Sequence, residues 1–265
     1  MEKENKLIKK VKRLLKRLHC PRWLHHFGPK TYEFWQHLVV LLIRHSCKLS
    51  YRRVKKLLDW LGMTCASKSA LQYTAERMPK WIWDRALQET AGMKHHVVAL
   101  DSTGFSRTHP SYHYLRRIDG KMPQVPVKLS AAFDTRKKKW CGAAIRVLSA
   151  HDSRDAQSLL ERSSPTIGVL DKAYPAESLY RFAHQHGILL MIPQKKNAKR
   201  GFYRKKMHKH FRTRTYHRRV LIEAGFSSLK RKFGAIVSSK RVKTVRAELY
   251  GRLLAHNIFG SFTEI

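Results

Sequence analysis

From Lys3 to Leu18 the apolar residues Leu7, Ile8, Val11, Leu14, Leu15 and Leu18 recur every three or four positions, with Lys and Arg between them. That spacing predicts an amphipathic helix with one face on a core and a basic face in water. The same period continues through Thr31 to His45. In the stretch SYRRVKKLLDWLGMTCASKSALQYTAERM it predicts two helices broken around Gly62, the second capped by Ser67 or Ser69. Two readings fit this pair. One is a helix-turn-helix with Lys68, Gln72 and Tyr73 on its DNA-reading helix; the other is an ordinary helical hairpin.

Near Gly92 the pattern turns from helical to extended. HHVVALD reads as a short strand, KLSAAFDTRKKKWCGAAIRVLS as two strands joined by a basic hairpin turn, and TIGVLD and GILLMIP as two more. Asp152 to Arg162 and Pro175 to His186 read as intervening helices, and a last helix follows. Strands first, then alternating helix and strand, predict an α/β fold with a mixed sheet flanked by helices. The expected boundary lies at residues 90 to 94, giving an all-α segment over 1–92, a candidate DNA-binding unit, and an α/β domain over 93–265.

Charge narrows the partner. Fifty-five Lys and Arg stand against eighteen Asp and Glu, a formal net charge of +37, and such a chain repels itself unless a polyanion supplies the balance. Nucleic acid is the expected partner. Between Gln194 and Arg219 twelve cationic residues and no carboxylate are interleaved with Phe202, Tyr203, Phe211 and Tyr216, the composition of an arm that grips phosphates. The four cysteines, Cys20, Cys47, Cys65 and Cys141, form no metal-ligand spacing and no disulfide framework, which suits reduced thiols in a cytoplasmic protein. The most apolar run, Phe34 to Ile43, is half of what a membrane helix needs, so no membrane span is expected.

Three carboxylates carry candidate chemistry. Asp101 follows VVAL and Asp171 follows IGVL, so two similar strands each bring an aspartate to a carboxyl-terminal edge, where sites in such sheets form. At about 100° per residue, Tyr216, Arg219, Glu223 and Lys230 share one face of a helix. Read singly, each aspartate is also a turn or cap residue, and Arg219 with Glu223 is an ordinary surface pair at four-residue spacing. Asp119 and Asp134 read as turn residues, and Asp152 or Ser153 as a helix cap.

The order Tyr216, Arg219, Glu223, Lys230 resembles the Tyr-Arg-Glu-Lys signature of insertion-sequence DDE transposases, and LDSTG around Asp101, HDS at His151 to Ser153 and LDKAYPAE around Asp171 resemble the same family. The likeness spans about residues 95 to 260. It departs in Ala173, where the family often has Gly, and in the short interval from Asp171 to Glu223, which has no room for a large β-rich insertion.

The resemblance implies a ribonuclease-H-like catalytic domain in which Asp101, Asp171 and Glu223 are both the catalytic residues and the ligands of two Mg²⁺ or Mn²⁺ ions. Hard oxygen donors suit those ions. It implies that Lys230 and Arg219 hold phosphates and that Tyr216 packs against or hydrogen-bonds the DNA. Lys172 reads either as a phosphate contact or as a surface lysine. The implied activity is cleavage of double-stranded DNA at element ends and strand transfer into target DNA, by a homodimer or larger synaptic complex in a prokaryotic nucleoid. Transesterification needs no nucleotide energy source, and no Gly-x-x-x-x-Gly-Lys loop is present. The alternatives are a ribonuclease-H-like nuclease without strand transfer and a transposase-derived DNA-binding protein without catalysis.

Overall fold

The computed structural model describes residues 5–24, 30–107, 127–147, 153–194 and 200–260. His151, Asp152, Asp119 and part of the basic arm lie outside them. Five helices come first: α1 (Lys6–Arg17), α2 (Phe34–Ser46), α3 (Tyr51–Trp60), α4 (Lys68–Arg77) and α5 (Lys80–Ala91). The apolar stripe of the first buries Val11, Leu14 and Leu15, as its spacing requires. Gly62, at φ +68°, follows α3 with a backbone that other residues rarely adopt. The cap of α4 is Ser67, whose hydroxyl accepts from the Ala70 amide at 3.2 Å.

The sheet is built from β1 (His95–Arg107), β2 (Val127–Asp134), β3 (Lys139–Arg146), β4 (Pro165–Leu170) and β5 (Leu189–Met191), in the order β3-β2-β1-β4-β5. The first three strands are antiparallel, while β4 and β5 run parallel to β1. Helices α6 (Ser153–Ser163) and α7 (Glu177–Gln185) make the parallel connections. Then come α8 (Phe202–His208), a short α9 (Thr213–Tyr216), a 3₁₀ turn (His217–Arg219), α10 (Val220–Phe233), a two-residue β6 (Ile236–Val237) beside the end of β1, and α11 (Val242–Phe259). This is the mixed, helix-flanked sheet preceded by helices that the pattern predicts.

Strand alternation sorts the side chains onto two faces. Ala99, Phe105, Ala131, Phe133 and Trp140 face one core, together with Leu14, Leu38, Leu71 and Leu87 of the first five helices and residues of α10 and α11. Val98, Leu100, Ala132 and Cys141 face the other, under α6, α7 and Met207 of α8. The helices of residues 6–91 and the front of the sheet therefore share one continuous apolar core.

Two expectations need correcting. Strand β1 does not stop at Asp101. Its polar continuation through Arg107 is held by β2 as far as Phe105 and by β6 at Ser106 and Arg107. Nor does one helix run from Tyr216 to Lys230. The chain turns through the tighter 3₁₀ segment before α10 begins, so Tyr216 belongs to a separate short helix ahead of the one that carries Glu223.

Candidate active site

The sheet register brings the two aspartates together. The parallel ladder between β1 and β4 ends at Leu100 opposite Leu170, so Asp101 and Asp171 are the next residues on adjacent strands. Leu100 and Leu170 both lie in the back core, and alternation puts the residues that follow them on the front. Asp101 is thus mid-strand in β1 but sits at the carboxyl edge of the parallel part of the sheet.

Helix α10 supplies the third carboxylate from its first turn, at Glu223. Ile222, Phe226 and Leu229 bury its inner face. Gly225 lets it approach closely: a Cβ there would lie 3.2 Å from carbons of both Phe133 and Trp140.

Arg219 spans the resulting gap. Its Nη1 donates to Asp101 Oδ2 at 3.0 Å and its Nη2 to Glu223 Oε1 at 2.5 Å. The backbone amides of Ser102 and Lys172 donate to one oxygen each of Asp101 and Asp171, at 2.8 and 2.7 Å. Burial pushes the Asp101 carboxyl above the ordinary carboxylate range; the Ser102 amide and Arg219 pull it down, and the charges of Glu223 and Asp171 push it up again. Burial also works against the Arg219 guanidinium, but Glu223 and Asp101, with smaller help from Tyr216 and Asp171, outweigh it and raise its pKa. Three carboxylates thus act on one cation position.

The donor set is all oxygen, and positive charge is already drawn to its centre, which fits a hard divalent cation. With the guanidinium between the carboxylates, no three His, Cys, Asp or Glu side chains among the described residues stand close enough to enclose an ion.

The other expected site residues scatter. The partly buried Tyr216 packs with Phe211 against Val97, Val169 and Met191, on the sheet surface beside the turn that carries Arg219. Lys230 places its Nζ 5.3 Å from the centre of the buried Phe105 ring, two helical turns from Glu223. Lys172 is exposed next to Asp171. Lys68 and Gln72 are exposed on α4, which packs on α2, α3 and α11 and lies apart from the carboxylates; Tyr73 lies under the Arg77 guanidinium at 4.0 Å.

The sequence reading missed three supporting pairs. Asp134, read as a turn residue, does accept the amides of Arg136 and Lys137, but it also bonds the buried His95 at 2.7 Å. Asp155 sits in the apolar stripe of α6 and takes a bidentate contact from Arg146 plus the Ser130 hydroxyl. Glu248 and Arg252, both buried in α11, fix the chain after α10: Arg252 donates to the carbonyls of Gly234 and Ile236, and Glu248 accepts the amides of Ser238 and Ser239. A carboxylate at a core position of a helical stripe was the available signal for the second pair.

Comparison with known proteins adds three findings. No curated protein matches the chain. A solved structure described as "Mos1 transposase paired-end complex with left transposon end" is similar at 12% identity and a TM-score of 0.26, over 99% of this chain and 89% of that one, too loose a superposition to bear on the site. A family model described as "Transposase DDE domain" matches residues 92–258, from the start of the sheet almost to the end of α11 and well over half of the chain. The carboxylates at the sheet edge lie within the matched stretch, and the chain belongs to the DDE transposase family.

Proposed function

We propose that this protein is an insertion-sequence transposase of the Tyr-Arg-Glu-Lys type, which cuts double-stranded DNA at the ends of its element and joins the freed 3′ ends to target DNA. The observation that carries the reading is the convergence of Asp101, Asp171 and Glu223, from two strands and a helix, on one cation position. These three would hold two Mg²⁺ or Mn²⁺ ions, with Asp101 shared. When bound, such a pair supplies activation of an attacking oxygen and stabilisation of a leaving one.

The chain's own groups do the rest. The Ser102 and Lys172 amides each fix one oxygen of an aspartate and leave the other for a cation. Arg219, once freed from the carboxylates, presents a planar fork that matches a phosphate. Lys230 and Lys172 take phosphates close to the cut, and Lys68 and Gln72 contact the duplex from the helical unit of residues 1–92, separately from the catalytic unit of 93–265. Tyr216, seated on the sheet beside the turn that carries Arg219, packs against or hydrogen-bonds the DNA with its exposed edge. Paired ends require a homodimer or larger assembly, acting at the nucleoid of a prokaryotic cell.

The double pairing of Arg219 also suits a transposase-derived protein that binds DNA without cutting it, and one experiment separates the two. Duplexes carrying the sequences that flank the gene are incubated with Mg²⁺ or Mn²⁺ and either wild type or Glu223→Gln. End-specific cuts and joined products from the wild type, lost in the variant while binding persists, are expected. Binding without cutting under either metal would replace this reading with the binding-protein one, and cutting without end preference would replace it with a nuclease.

A further inference from the structure

A cleft of about 830 Å³ lies where the helical segment meets the start of α11, and none of its lining residues belongs to the carboxylate site. Arg44, Lys48, Arg53, Lys240 and Arg241 line it, against a single carboxylate, Glu76. The side chains of Lys48, Arg53, Lys240 and Arg241 make no ion pair among the described residues. Arg44 is 9% exposed, lies over the Tyr51 ring at 4.0 Å and keeps its Nε without a hydrogen-bond partner. Its Nη1 lies 3.3 Å from His45 Nε2.

Backbone geometry points the same way. Helix α11 begins at the cleft with no side chain capping its first turn, which leaves amides free for an anion. Lys48 is held at φ +53°, where a glycine would be unstrained and a lysine is not. A neighbouring cavity of about 240 Å³ shares Arg44 and Lys48 with it and is lined also by Phe233 and Gly234, at the far end of the helix that carries Glu223.

Gln72, set against the duplex above, also lines the cleft, and we propose that the cleft extends that contact into a phosphate-gripping DNA site, in which Arg44, Lys48 and Arg53 of the helical segment and Lys240 and Arg241 before α11 tie the helical segment and the catalytic sheet to the same substrate duplex. The identity of the duplex as substrate rests on the function proposed above; the site itself rests on the cleft. Its distance from the cut follows from β1. The cleft borders the chain just after β6, which pairs with Ser106 and Arg107, five and six residues beyond Asp101. An extended strand covers about 20 Å in six residues, and on a duplex whose axis follows β1, at about 3.4 Å per nucleotide, the gripped phosphates lie about six nucleotides from the cleaved bond.

The test measures binding of the full-length protein to an element-end duplex by fluorescence anisotropy across a range of KCl concentrations. It compares wild type, Glu223→Gln, Lys48→Gly and a Lys240→Ala, Arg241→Ala double variant. Each lost phosphate contact lowers the slope of log K against log salt by about 0.9, so the double variant is expected to lose about two units of slope and about tenfold or more in affinity at 0.1 M salt. Lys48→Gly is expected to lose about one unit without a lower Tm, because glycine accepts that backbone conformation. Phosphate ethylation about six nucleotides from the cut should impair binding by wild type and no longer by the double variant. Unchanged slopes and affinities in both variants, with Tm intact, would overturn the cleft as a binding site whether or not wild type cuts DNA. Reduced slopes in a protein that never cuts would uphold the cleft and sink only the catalytic reading.

Discussion

Replacing Gly225 with Ala tests whether the seating of α10 places Glu223. The added Cβ would lie 3.2 Å from Cε2 and Cζ of Phe133 and from Cη2 of Trp140. Ordinary carbon contacts lie at about 3.5 to 4.0 Å, so relief needs about 0.3 to 0.8 Å of movement. Trp140 cannot supply it easily. It is fully buried, with ring centres of Phe133 at 4.6 Å, Phe226 at 5.1 Å and His256 at 5.9 Å. The helix moves instead, and Glu223 lies two residues from the point of contact. Overpacking costs about 1 to 3 kcal/mol, while alanine in place of glycine inside a helix returns about 1 kcal/mol. The net expectation is a loss of about 0 to 2 kcal/mol, a fall in Tm of up to about 8 °C at about 2 to 4 °C per kcal/mol. A shift of a few tenths of an ångström at a catalytic carboxylate should cost about tenfold in DNA cutting, scaled from the hundredfold effect of a 1 Å misplacement. Thermal unfolding and end-cutting rates read the two effects, with Gly260→Ala as the control: a Cβ there meets nothing within 4 Å. If Gly225→Ala gained about 1 kcal/mol and cut at the wild-type rate, the close approach of α10 to Trp140 would not be what positions Glu223.

Two further perturbations probe the scaffold. A Cβ on Gly251 would lie 2.7 Å from Cδ2 of His45, a ring that burial, with Arg44 and Arg252 beside it, holds neutral and well below the usual histidine range. Gly251→Ala is therefore expected to lower stability by about 1 to 3 kcal/mol in denaturant titration, and an unchanged midpoint would mean that α2 and α11 do not pack as described. Asp134 is pushed up by burial, but the His95 bond and the Arg136 and Lys137 amides hold its carboxyl below the ordinary value. A depressed folded pKa stabilises the protein above the unfolded pKa and stops doing so as pH falls through the folded one. Asp134→Asn should thus cost about 1 to 3 kcal/mol near neutral pH, with the gap to wild type closing below about pH 4. A gap that does not change with pH would refute the ionised pairing.

What the sequence made legible depended on how local each cause was. Asp101 and Asp171 stood out because two strands with similar endings, VVALD and IGVLD, align residue for residue in the parallel ladder, so likeness in sequence became adjacency in space. Glu223 stood out as a lone carboxylate in a basic helix. The run of β1 past Asp101 was not legible. Of STGFSR only Phe105 is fully buried, and the segment is extended because β2 and β6 pair with it from distant parts of the chain. The 3₁₀ turn between Tyr216 and α10 was not legible, because helical phase assumes an unbroken helix, whereas the Tyr216 ring is anchored on the sheet and the chain tightens before α10. Glu248 and Arg252 look like a surface pair at four-residue spacing. They are buried because α11 is covered nearly all round, from Val245 to Ile258.

The same contrast of local and distant causes explains how a chain of net charge +37 keeps three carboxylates at a sheet edge. Burial disfavours the charged form of Asp101, and Glu223 and Asp171 add to that, so without a counter-charge the cluster would oppose folding. Many cations could supply one at the exposed edge of the site. Arg219 does so because the 3₁₀ turn ahead of α10 sets its guanidinium between β1 and the helix, four residues before Glu223. That guanidinium can satisfy carboxylates or a phosphate, but not both with the same N–H groups. On the function proposed above, loading of the carboxylates and gripping of DNA by Arg219 favour one another, and by linkage the preference is mutual. On that reading Arg219 serves the empty site as a folding counter-ion and the loaded site as a DNA contact, which would give an arginine at this position two reasons to be there and a lysine, with no planar fork to span two carboxylates, neither in full.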